Sequence, residues 1–253
     1  MSRTKPIPQC RVFLVGEGPD DIGDLAEHPA YRKGREGFLQ PILRGLVAGR
    51  VELGFDGAKI THLPARPIRN PGKGHARKAA QALALAHVEN ADALVFVKDV
   101  DRTAGSAASA IERRKRIDET RRQIVAGFEA ARSRAPVGKD IAAIAATPCR
   151  MIEAWALADW DAVCAAAGAE HPDEAKPPKP EDLWGNEDDP ASDHPKRVLE
   201  RALGRRATRD DFAEIAGGTR VNEISARCPD SFRTFAREVE HALRRRLSQA
   251  DEV

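Results

Sequence analysis

Apolar residues in this chain form short unbroken runs separated by longer stretches of helical spacing. The first run, Val12-Phe13-Leu14-Val15, predicts a strand over 11–15 that is buried on both faces of a parallel sheet. It ends at Gly16-Glu17-Gly18-Pro19-Asp20-Asp21, where glycines on either side of Glu17 allow a tight strand-to-helix turn. Phe38, Ile42, Leu46 and Val47 share one face of a helix expected over 38–48. A second strand is expected over 59–63, a proline- and glycine-bearing loop over 67–74, and a helix dominated by Ala, Leu and Gln over 76–88. The next run, Ala93-Leu94-Val95-Phe96-Val97, is rich in β-branched and aromatic residues and leads directly into Asp99 and Asp101. A helix over 109–134 carries Ile117, Ile124, Val125 and Phe128 on its apolar stripe; a small apolar strand over 141–146 and a helix over 149–159 follow. Strands alternating with helices predict an α/β fold with a parallel sheet, because right-handed crossovers place the helices on its faces.

The pattern changes near Glu170. Residues 171–195 are proline-rich and acidic, with Glu187-Asp188-Asp189-Pro190 at the centre, and are expected to form an excursion or flexible loop rather than core. Helices resume over 196–203, and the last, over 231–247, aligns Phe232, Phe235, Val239, Leu243 and Leu247 on one stripe. The organisation expected is an α/β domain over 8–165, followed over 166–253 by the acidic loop and a helical C-terminal elaboration. Trp155 and Trp160 are expected in the core.

Composition narrows the function classes. Among 253 residues, 41 basic side chains stand against 39 acidic ones, a net charge of +2, so no global field steers the protein toward nucleic acid and any basic surface has to be local. Cys10, Cys149, Cys164 and Cys228 lack CxxC spacing, which argues against a zinc site and a disulfide framework and for a reducing cytoplasm. The N-terminus does not resemble a signal peptide, and no apolar run approaches the length of a membrane span, so a soluble intracellular protein without membrane contact is expected.

The candidate chemistry sits at the strand ends. Side chains alternate along a strand, so Asp99 and Asp101 should point the same way, and Glu17 should reach the same sheet edge. Carboxylates on one face repel each other, and a hard divalent cation held through oxygen ligands is the usual remedy. Asp20 and Asp21 read as first-turn helix residues favoured by the dipole. Glu153 reads either as a first-turn glutamate or as a further acid at the site. The run Arg113-Arg114-Lys115-Arg116 fits either a nucleic-acid backbone contact or a solvated helix face balanced by Glu112, Asp118 and Glu119. Pro71-Gly72-Lys73-Gly74-His75 does not complete the glycine-rich lysine motif of nucleotide triphosphatases, so ATP hydrolysis by this chain is not expected.

The ordered pair Val12-Phe13-Leu14-Val15-Gly16-Glu17-Gly18-Pro19-Asp20-Asp21 and Leu94-Val95-Phe96-Val97-Lys98-Asp99-Val100-Asp101 resembles the Toprim domain of topoisomerases, primases and some nucleases. Met151-Ile152-Glu153-Ala154-Trp155-Ala156-Leu157-Ala158-Asp159 and His194-Pro195-Lys196 look like later motifs of small Toprim proteins related to RloB and the OLD nucleases. The resemblance implies a Toprim-like sheet in which Glu17, Asp99 and Asp101 hold Mg²⁺ or Mn²⁺, with Glu153 and Lys196 as further site residues. It also implies cleavage of DNA or RNA, and a hetero-oligomeric partnership with an ABC- or AAA-type ATPase in bacterial anti-phage defence. This chain departs from the pattern at Gly16, which stands between Val15 and Glu17 where family members run directly from valine to glutamate. In such a site the cation neutralises phosphate oxygens and acidifies a water, Glu17 orients or deprotonates that water, and Lys196 steadies the leaving oxygen.

Two alternatives stay open. The chain could be a non-catalytic docking or regulatory subunit of the ATPase. Asp99-Val100-Asp101-Arg102-Thr103 also fits the opening of a haloacid-dehalogenase phosphatase, with a nucleophilic first aspartate. That family usually has glycine where Arg102 stands and gives Glu17 no task.

Overall fold

A computed structural model describes residues 9–27, 34–47, 50–65, 72–100, 110–133, 140–168 and 175–250, with side chains as far as 243. Asp101, the Leu247 side chain, and parts of the two expected loops (67–71 and 171–174) lie outside the described residues.

Four strands, β1 (Gln9–Gly16), β2 (Glu52–Lys59), β3 (Ala93–Val97) and β4 (Ala142–Ala146), form one all-parallel sheet in the order β2-β1-β3-β4. Val12 pairs with Phe55 on one side and with Ala93 on the other, and Val95 pairs with Ile144. The described helices are α1 (Pro19–Ile22), α2 (Leu39–Val47), α3 (Gly74–Val88), α4 (Ala110–Arg132), α5 (Ile152–Ala156), α6 (Trp160–Ala167), α7 (Pro195–Leu203), α8 (Arg209–Gly218), α9 (Val221–Arg227) and α10 (Phe232–Ala250). They cover both faces of the sheet, which is why β1 and β3 read as unbroken apolar runs.

Alternation sorts the side chains between two cores. Val12, Leu14, Val95, Val97 and Ile144 meet α2 and the C-terminal helices, including Trp155, Phe212, Phe232 and Phe235. Phe13, Val15, Leu94, Phe96 and Ala145 meet α3 and α4 through Leu83, Ile124 and Phe128. Trp155 and Trp160 are buried, as expected, and Trp155 stacks on Phe235 at 5.3 Å between ring centroids. The helices after residue 165 thus share a core with the sheet.

On the second face α4 lies close against α3 at Gly127, where an added Cβ would sit 2.1 Å from the Ala76 carbonyl oxygen. A rigid backbone atom cannot yield. Gly127→Ala is therefore expected to lower unfolding free energy by roughly 1–3 kcal/mol despite alanine's better helix propensity, as read by urea denaturation.

The structure corrects two expectations. The second strand occupies Glu52–Lys59, whereas most of the stretch expected to be strand, Ile60–His62, is a 3₁₀ turn. The true strand lies at the sheet edge and contains Gly54 and Gly57; Gly57 is required because a Cβ there would meet the Leu14 carbonyl oxygen at 2.5 Å. Two glycines and an exposed edge erase the apolar signature of a strand.

The acidic, proline-rich segment also enters the core. Glu181 is buried, and its carboxylate accepts the Ser231 N–H at 2.8 Å and the Asp230 N–H at 3.1 Å, capping the start of α10. The Trp155 indole N–H donates to the Ser231 hydroxyl at 2.7 Å in the same cluster. The neighbouring Asp182 pairs with Arg113, which also donates to Asp230 at 2.8 Å. Arg114 binds Asp230 too, so the first half of the α4 basic run is committed to internal ion pairs.

Candidate functional site

In the order β2-β1-β3-β4 the chain leaves β1 toward one edge of the sheet and leaves β3 toward the other. The two connections diverge, and a crevice opens beyond the carboxyl ends of β1 and β3. Glu17 and Asp99 follow those ends directly, so topology alone brings them to one place.

At the β1 end, the turn is closed by Asp21. Its buried carboxylate accepts the Glu17 N–H at 2.6 Å and the Gly18 N–H at 3.2 Å. That closure explains Gly16: an added Cβ there would lie 2.9 Å from both the Cβ and an oxygen of Asp21. Asp21 is in the first turn of α1, as expected, but its carboxylate also lies within electrostatic reach of Asp99 and Glu153.

Register decides where Glu17 goes. Val15 pairs with Phe96, so two further residues set Glu17 opposite Lys98, and the two side chains form an ion pair. By alternation both continue the α3/α4 face, whereas Asp99 continues the Val95–Val97 face that meets α5. The glycine at 16 therefore turns Glu17 toward a lysine and leaves Asp21 on the side of Asp99.

At the β3 end, Lys98 donates its N–H to the Ala146 carbonyl at 3.0 Å and Val100 donates to the Pro148 carbonyl at 3.0 Å. Asp99 lies between them, and in a parallel ladder its peptide faces the opposite way, toward the space that β1 has vacated. Among the described residues its Oδ1 is buried without a hydrogen-bond partner. Burial, followed by the charges of Asp21, Glu17 and Glu153, pushes the Asp99 carboxyl well above the usual carboxylate range, and Lys98 only partly opposes this.

Glu153 enters from the first turn of α5 and is buried. Desolvation raises its pKa to about 8, and Asp21 and Asp20 add to the shift. Burial likewise lifts Asp21 to about 7, against the pull of its two backbone N–H donors. Lys196, in the first turn of α7, favours the charged forms of Glu153 and Asp20 at a distance. Its ammonium is bonded at 2.7 Å to Glu187. The structure thus gathers Glu17, Asp99 and Glu153 with Lys196 at the rim. It adds Asp21 and Lys98, which the sequence reading did not place in the site. The Gly16-x-x-x-x-Asp21 spacing was the available signal, since a small residue there admits a carboxylate folding back over the turn.

Oxygen donors, mutual repulsion and the orphaned Asp99 Oδ1 suit a hard divalent cation in donor chemistry. Among the described residues, however, no three His, Cys, Asp or Glu side chains are gathered as a metal-holding group, and Glu17 is engaged by Lys98. Among the described residues, no helix is long and apolar enough to cross a membrane. Comparison with family models, with curated proteins and with solved structures returns no match to this chain.

Proposed function

We propose that this protein is a Toprim-like, Mg²⁺- or Mn²⁺-dependent nuclease that cleaves a phosphodiester of DNA or RNA at the crevice between β1 and β3. The observation that carries this reading is the set of buried, mutually repelling carboxyls of Asp21, Asp99 and Glu153 at a topological switch point, with Asp99 Oδ1 lacking a partner among the described residues. A fold does not keep buried carboxyls so poorly compensated for stability's sake.

A divalent cation, when bound, would supply charge neutralisation for the phosphate and an acidified water. Asp99 and Asp101 are the residues to hold it, with Asp21 or Glu153 beside them. Glu17 sits with its carboxylate on Lys98, so this pair is placed to hold and pass a proton at the rim. Lys196 offers a point charge for a leaving oxygen once it lets go of Glu187.

The same reading places the protein as the effector of an ATPase-coupled anti-phage system, acting on nucleic acid beside an ABC- or AAA-type partner. A second reading, a docking subunit without chemistry, draws on the Lys98–Glu17 pair, which satisfies the glutamate without any metal ion. Incubation of supercoiled plasmid and of RNA with protein and Mg²⁺ or Mn²⁺, with and without the ATPase, separates the two. Metal-dependent nicking that is lost in Asp101→Ala is the expected result. Equal inertness of both proteins under every condition would leave the docking reading standing.

A further inference from the structure

β4 is an outer strand of the sheet, and side chains of α4 and α10 line a cavity along its free edge. In a parallel ladder, alternate residues turn their N–H and C=O groups to opposite sides. The Ala142 N–H donates to the Asp92 carbonyl at 3.2 Å and the Ala146 carbonyl accepts the Lys98 N–H at 3.0 Å, so Ala142, Ile144 and Ala146 serve β3. Ile141, Ala143 and Ala145 therefore present their main-chain groups to the open side. That side is a trough of about 750 Å³, with Val125 on the α4 wall and Arg237, His241 and Ala242 on the α10 wall.

Two arginines hold the ends of this edge. Arg132 donates to the Ile141 carbonyl at 3.3 Å and Arg121 to the Ala145 carbonyl at 3.1 Å. Arg121 also pairs with Glu238, so an ion pair joins α4 to α10 across one end of the strand. Charges placed in this way blunt a sheet edge against unwanted pairing. Here the blunting is incomplete, because the Ala143 N–H and C=O and the Ala145 N–H lie between the two arginines and face the cavity. The open stretch suits a short strand of about five residues at roughly 3.3 Å each.

The walls and their charge select what enters. A second copy would bring its own α4 and α10 against these walls before its β4 reached the floor of the trough; a single extended segment meets no such obstacle. Glu238 is neutralised by Arg121, which leaves Arg132, Arg237 and His241 against Asp140. Arg237 and His241 stand one turn apart on α10, both exposed, and among the described residues neither has a hydrogen-bond or ion-pair partner. A nucleic-acid backbone would engage these cations, but its phosphates carry no N–H for the Ala143 carbonyl.

We infer that β4 docks an acidic peptide in extended conformation, which adds a strand beside it. Main-chain bonds to Ala143 and Ala145 hold the peptide, and its alternating side chains set carboxylates against Arg237 and His241 and apolar groups against Val125. This edge is not the crevice between β1 and β3, and the inference stands apart from the nuclease reading.

The test titrates the full chain into a labelled peptide of alternating glutamate and valine, with binding read by fluorescence anisotropy. Two further versions of the peptide carry main-chain N-methyl groups on alternate residues, one on the odd set and one on the even. Only one set of N–H groups can face β4, so one version is expected to bind at least roughly tenfold more weakly and the other within about twofold of the parent peptide. Because the protein is unaltered, no folding defect can imitate that asymmetry. Arg237→Glu, a change at an exposed position, should weaken binding about tenfold, and a lysine–valine peptide should not bind. Equal effects of the two methylated peptides overturn the proposal, as does a protein that does not bind the glutamate peptide. Displacement by a single-stranded oligonucleotide as effectively as by unlabelled peptide overturns it in favour of a nucleic-acid surface, and a protein dimer that the peptide dissociates overturns it in favour of a second copy.

Discussion

Asp99→Asn is expected to abolish metal-dependent cleavage while making the protein harder to unfold. The loss should reach about a thousandfold, the rate equivalent of roughly 4 kcal/mol of charge stabilisation withdrawn from the phosphate. The gain in stability has a separate cause. The Asp99 carboxylate has a buried, unbonded oxygen and is repelled by Asp21, Glu17 and Glu153. Asparagine keeps the shape and removes the charge. At about pH 8 the substitution should add roughly 1–3 kcal/mol, a rise of several degrees in the thermal midpoint for a chain of this size. Calorimetry and plasmid nicking on the same preparation check both halves. A variant that still cuts removes Asp99 from the chemistry; one that is less stable than the parent shows the carboxylate to be a structural ligand whose partner the charge was serving.

That combination matters because a purely structural acid behaves oppositely. Asp159 is the internal contrast: it is as deeply buried as Asp21, but three hydrogen bonds of 2.9–3.0 Å tie it to Arg220, and these hold its carboxyl below the usual range despite burial. Asp211 is held the same way by Arg205 and Thr208. These two buried acids are each supplied with an arginine, whereas the helix-capping Glu181 is held by backbone N–H groups and the Ser231 hydroxyl. Among the described residues the charges that most shift Asp21, Asp99 and Glu153 include no arginine.

These differences explain what could be read in the chain. β1 and β3 were legible because both are buried on two faces and carry unbroken apolar runs into their acids. β2 was misplaced because an edge strand with two glycines carries no such run. The crevice acids at 17, 99 and 153 were legible from their positions just past predicted strands or in a predicted first turn. Asp21 was read only as a helix-start residue, because its fate depends on a backbone turn that folds it over Gly16, and on acids brought close by β3 and α5. Glu181 was lost inside an acidic, proline-rich stretch; its burial depends on the N-terminus of α10, fifty residues downstream. Local pattern reports which elements form. Pairing between distant loops, which brings these acids together, leaves no periodic trace.

The apo protein is expected to become less stable as pH rises through neutrality, and a divalent cation is expected to cancel that loss. Unfolded, Asp21 and Glu153 titrate near 4; folded, burial moves them to about 7 and about 8. Between those limits the folded state holds protons that the unfolded state has released, so unfolding free energy falls with increasing pH. The contribution is fully present below the unfolded pKa values and gone above the folded ones. For Glu153 alone the span amounts to on the order of 5 kcal/mol. Thermal melts in chelator should therefore drop by many degrees from about pH 5 to about pH 9, and Glu153→Gln should flatten much of the slope. Millimolar Mg²⁺ or Mn²⁺ should raise the midpoint at the alkaline end and leave the acid end unchanged, because there the protons already occupy the oxygens a cation would take. A flat pH profile would show that the crevice carboxyls are compensated by groups outside the described residues. A steep profile that no divalent cation corrects would leave the acids without the ligand that their placement between β1 and β3 calls for.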